Sequence, residues 1–138
     1  MSSKCITFYS LLIYLLFIAE ATAGNSNFKE IRNARPCVDG PAIAEGYLNS
    51  SFHGAWLSDT INSWRSGVSL EINRDSGDPS IASIKKYMYT PAMYMNSSFR
   101  AVFHGRIKCL PKRASAVFVV DKAMKIRISR YRRASSMP

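Results

Sequence analysis

Few side chains in this sequence could do acid–base or phosphate chemistry. His53 and His104 are its two histidines, with Glu45 and Glu71 as candidate carboxylates and Arg100 and Arg106 as candidate cations. Cleavage of RNA by its own 2′-hydroxyl needs a base, an acid and a cation that holds the phosphate as charge develops. Those residues supply the types, but their sequence spacing gives no reason for them to converge, so no residue is assigned a catalytic role. No Cys/His cluster has metal-ligand spacing, and no serine sits in a recognisable nucleophile elbow. Neither a metal nor a cofactor is expected.

The cations form a clearer pattern. The formal net charge is +10. From Arg100 to Arg133, eleven basic residues face one acid, Asp121, a surplus of ten, while residues 24–99 balance seven against seven. Charge gathered in one third of a fold attracts polyanions such as RNA, DNA, acidic polysaccharide or anionic lipid. The same residues spread over opposite faces would only aid solubility. Arg100, Arg106, Lys108, Lys125, Arg127, Arg130, Arg132 and Arg133 are the expected phosphate contacts. Tyr131 could stack on an unpaired base or merely anchor the tail.

The elements that must position these groups follow an expected export leader. Lys4, the apolar run Leu11 to Ile18 and the small-x-small pattern Ala21-Thr22-Ala23 predict a signal peptide over 1–23, with the mature chain beginning at Gly24. Cys37 and Cys109 remain as an even pair in an oxidising compartment, where a disulfide is expected. The sequons at Asn49 and Asn96 are candidate N-glycosylation sites. No later apolar run approaches the length of a membrane span, so a secreted monomer without stable membrane insertion is expected.

Periodicity places one domain over 24–129 and a basic tail over 130–138. Residues 24–36 read as a polar arm. Gly40 and Pro41 predict a helix start, with Ile43, Tyr47 and Leu48 as its stripe, and Leu57, Ile61 and Trp64 suggest a second helix over 55–65. Strands are expected at 68–72, 81–84, 87–89, 99–103, 107–110, 115–120 and 124–128. In the last, Met124, Ile126 and Ile128 predict an apolar face, and Lys125 and Arg127 a basic one. Helices ahead of strands give an α+β class, with one or two short helices packed on an antiparallel sheet.

The leader, a cysteine soon after the mature start, a short helix, then strands and a second cysteine resemble the ribonuclease-like secreted effectors of powdery mildew fungi (RALPH, RNase-like proteins associated with haustoria). Those are similar to small guanyl-specific fungal ribonucleases. Met88-Tyr89-Thr90-Pro91 is similar to their Tyr-Glu-x-Pro strand, and Phe99-Arg100-Ala101-Val102-Phe103 to their Asp-Arg-Val-Val-Phe strand. The likeness covers roughly residues 35–120 and implies a microbial-ribonuclease-like fold with one disulfide. Tyr89 stands where the family has its glutamate base, and Ala114 to Phe118 lacks the histidine acid. Only Arg100 carries over, as a phosphate contact. The resemblance thus implies a secreted effector on a catalytically inactive scaffold, able to enter host cells and bind host RNA or a host protein such as an immune receptor. An active endoribonuclease around His53 or His104 is one alternative, and a cationic membrane- or surface-active protein another.

Overall fold

The computed structural model describes residues 26–51, 53–61, 63, 65–88, 96–112 and 115–128, with the side chains of residues 96–98 left out. The expected leader, the Asn96 side chain, Trp64, the Tyr89-Thr90-Pro91 segment and the tail carrying Arg130, Tyr131, Arg132 and Arg133 lie outside the described residues.

Among the described residues, seven elements follow in order: α1 (Phe28–Asn33), β1 (Gly40–Ser51), β2 (Gly54–Ser58), β3 (Val68–Ile72), α2 (Ser80–Met88), β4 (Asn96–Leu110) and β5 (Ser115–Ile128). The strands close into a barrel of order β1-β2-β3-β5-β4. Every pairing is antiparallel except β3 with β5, and β1 closes the wall by pairing with both β2 and β4. A five-stranded barrel of this connectivity, with a helix between β3 and β4, has OB-fold topology. The expected α+β class, one or two short helices packed on an antiparallel sheet in the microbial-ribonuclease manner, is therefore wrong. Closure removes the free sheet face on which such a helix would lie.

The error begins in β1. Its inward residues are Ala42, Ala44, Gly46 and Leu48, while Ile43, Glu45 and Tyr47 are more exposed. Small residues therefore line the interior and larger ones the exterior, which hides the period-two signal and leaves a false helical stripe. Small inward residues are required there because aromatics fill the barrel. Tyr87, Phe99, Phe103, Phe28 and Phe118 form a chain of ring contacts, with successive centroids 5.6–6.1 Å apart. A Cβ on Gly46 would meet the Ser58 carbonyl and lie 2.8 Å from the Phe28 ring. The first part of the expected helix over 55–65 lies instead in β2, whose Leu57 points inward opposite Leu48.

The two helices pack against the barrel. The expected polar arm contains α1, capped by an Asn27/Glu30 capping box. Asp59 adds to the cap, accepting from the amides of Phe28 at 2.8 Å and Lys29 at 2.9 Å. A six-residue helix has little stability of its own, so burial of Phe28 and Ile31 holds it in place. Residues 81–84, 87 and 88, expected as parts of two strands, lie in α2 instead. Asp78 caps it, accepting from Ser80 N at 2.9 Å, and Ile81 and Ile84 form its buried face. The hydroxyl and amide of Ser80 lower the pKa of the Asp78 carboxyl.

Cys37 and Cys109 form the expected disulfide. The Asn49 sequon is a different matter. Asn49 is fully buried, and its amide donates to Ser58 Oγ at 2.6 Å and to the Tyr47 carbonyl at 3.2 Å. This fold leaves no room for a glycan on that nitrogen. Among the described residues, no helix is long and apolar enough to cross a membrane.

Candidate functional site

Cross-strand partners share a face, so the register shows which cations meet. Along β4, Phe99, Ala101 and Phe103 are buried, while Arg100, Val102, His104, Arg106 and Lys108 face outward with greater exposure. Arg100 pairs with Tyr47 on β1 and Arg127 on β5, and His104 pairs with Ile43 and Lys122. Arg106 pairs with Pro41 and Val119, and Lys108 with Val117. The outer wall of β4 and β5 therefore gathers Arg100, His104, Arg106, Lys108, Lys122 and Arg127. Successive outward residues on a strand stand about 6.8 Å apart, so Arg100 to Lys108 spans about 27 Å.

Two of these cations have acidic partners at opposite ends of the row. Arg100 Nη2 lies 3.0 Å from Glu45 Oε1, with its guanidinium over the Tyr47 ring at 5.7 Å. Lys108 Nζ reaches across β5 to Glu71 Oε2 at 3.5 Å. Both pairs are about half exposed, and such bridges contribute about 0–1 kcal/mol. A phosphate can replace either carboxylate at little loss. Arg106, Lys122 and Arg127 have no ion-pair partner among the described residues.

Lys122 was not among the expected contacts, because residues 121–123 read as a break between two strands. β5 instead runs unbroken through them. Lys125 was expected on the wall, but its φ of +53° places it in a bulge: Arg127 pairs with Arg100 and Met124 with Val102, leaving one extra residue on β5. The expected split of this strand into an apolar and a basic face is also absent, since Met124 and Arg127 both pair with outward residues of β4. Met124, Ile126 and Ile128 are 44%, 37% and 64% exposed.

The candidate catalytic groups come together only in part. Glu45 and His104 occupy diagonal positions on β1 and β4, beside Arg100 and Arg106. The Glu45 carboxylate is engaged by Arg100, and no hydrogen bond holds the His104 ring among the described residues. His53 is exposed in the β1–β2 turn, ten residues along the chain from Ile43, the β1 partner of His104. Glu71 lies on β3, separated from β4 by β5. Among the described residues, no three metal-ligating side chains meet.

No family model, curated protein or solved structure matches this chain. The fold therefore rests on strand order and register, and a functional reading must rest on the wall itself.

Desolvation, and secondarily the charge of Lys122, lower the His104 pKa below its ordinary 6.5. The unfolded chain then binds this proton more readily than the folded protein. Stability contributed by neutral His104 is present above pH 6.5 and is lost as pH falls below that value. His104→Gln should lose less melting temperature between pH 8 and pH 5 than the parent protein. Equal losses in parallel thermal melts would show that His104 titrates normally.

Proposed function

We propose that this chain is a secreted effector that acts without catalysis, binding single-stranded host RNA along the outer wall of β4 and β5. The observation that carries the RNA reading is the row of outward cations on adjacent strands, three of them without acidic partners among the described residues. Export is supported by the leader sequence and by a disulfide suited to an oxidising compartment. The effector role is supported by the sequence resemblance, whose ribonuclease scaffold does not carry over.

The wall suits a flexible backbone. A strip about 27 Å long by the strand repeat accommodates a single strand of a few nucleotides, within the site sizes of about 4–16 found for OB folds. Contacts from arginine and lysine to phosphate fix the strand without reading its sequence. OB folds commonly bind on the face of strands 2 and 3, but here that face presents Ser69 and Glu71.

Arg100, Arg106, Lys108, Lys122 and Arg127 supply five phosphate contacts. Log affinity for single-stranded RNA should then fall with log salt at a slope of about −3.5. Arg106→Glu combined with Lys122→Glu should bring the slope to roughly −2 and weaken binding at every salt concentration. Fluorescence anisotropy of a labelled oligonucleotide across a salt series reads both effects, and gel analysis of the same mixtures reads cleavage. An unchanged slope in the variant would move the site off this wall. Cleavage lost in His104→Ala would make the protein an enzyme.

A further inference from the structure

β5 outruns the strand beside it. β3 pairs with β5 only from Val117 to Val120. Beyond that point the edge is met by side chains: Ser76 Oγ donates to the Asp121 carbonyl at 2.5 Å, and Ala123 N donates to Ser80 Oγ at 2.8 Å. Past Ala123, β5 continues to Ile128 with β4 on one side and, among the described residues, no strand on the other. Met124, Ile126 and Ile128 are exposed on this segment, with Lys125 and Arg127 between them.

We propose that this edge is a docking site for an extended acidic segment of another protein that carries both carboxylates and apolar side chains. An exposed strand edge is a template for strand addition: main-chain hydrogen bonds give affinity and alternate side chains give specificity. Charge selects the occupant. Two copies of this chain pairing edge to edge about a two-fold axis near Ile126 would set Lys125 against the Arg127 of the other copy, and like charges directly opposite are destabilising. The bulge at Lys125 and its ammonium group guard the edge against neutral and basic strands. An acidic strand pairs with those cations, lays its main chain along Ile126–Ile128 and covers the apolar side chains. This inference does not depend on RNA binding, which shares only Arg127 with this edge.

The test uses isotope-labelled protein produced from the full chain and recovered after export. Two blocked octapeptides serve as probes, one alternating glutamate with valine and one alternating lysine with valine. The acidic peptide should shift the amide resonances of Met124–Ile128 and leave those of β2 unchanged, and the lysine peptide should bind far more weakly. Met124→Ser with Ile128→Ser should weaken the acidic peptide about tenfold while leaving the RNA salt slope unchanged. Lys125→Glu with Arg127→Glu should reverse the preference toward the lysine peptide. Equal binding of both peptides, shifts centred elsewhere, no binding, or unaltered preference in the charge-reversed protein would overturn the proposal.

Discussion

Serine at both Cys37 and Cys109 is expected to lower folding stability by about 4 kcal/mol, because the bridge closes a long loop and restricts the unfolded chain. The two cysteines are 72 residues apart, and the loop holds four of the five strands. The bond also continues the β1–β4 ladder. Gly40 pairs with Ile107, and just beyond that rung Cys109 N donates to Asp39 Oδ1 at 2.6 Å. Without the disulfide, the entry to β1 is held at this end mainly by that hydrogen bond and the pairing itself. Domains of this size have about 5–15 kcal/mol in total, so the variant should melt roughly 20 °C lower. Calorimetry of the oxidised protein and the double serine variant measures the difference. A shift of only a few degrees would mean that the unfolded chain is already compact without the bridge.

That bridge was legible from two cysteines and a leader, whereas the barrel was not. Val68, Leu70 and Ile72 show their strand because large residues point inward there and polar ones outward. β1 inverts the rule, since the aromatic interior demands alanine and glycine, and the stripe of Ile43, Tyr47 and Leu48 then imitates a helix. α2 went unrecognised although Asp78-Pro79 is a helix start and Ile81 and Ile84 stand at helical spacing. Closure depends on the parallel β3–β5 pairing, a long-range register that local periodicity does not encode. The basic surplus was plain in the sequence. Its gathering on one wall follows from β4 being a single fifteen-residue strand rather than two short ones.

Phe28→Ala is the second large effect, expected to lower stability by about 3–5 kcal/mol. Phe28 is fully buried and lies edge-on to Phe103 at 6.1 Å and Phe118 at 5.6 Å. Collapse into the vacated space is hindered on two sides. Asp59 holds the backbone of α1 through the Phe28 and Lys29 amides, and the facing wall at Gly46 has no side chain to move inward. Placing a methyl at Gly46 does not compensate, because that Cβ also meets the Ser58 carbonyl; Gly46→Ala alone should destabilise by about 1–3 kcal/mol. Denaturant unfolding measures both variants. The RNA salt slope of Phe28→Ala, taken well below its melting point, separates interior from exterior. The row of cations is set by β4–β5 pairing, with Phe103 and Phe118 directed inward and Arg100, Arg106 and Lys108 outward from the same strands. Loss of the plug should therefore lower stability and leave the slope unchanged. A slope that falls with stability would mean that the aromatic interior sets the spacing of the wall, and that α1 belongs to the binding mechanism as well as to the core.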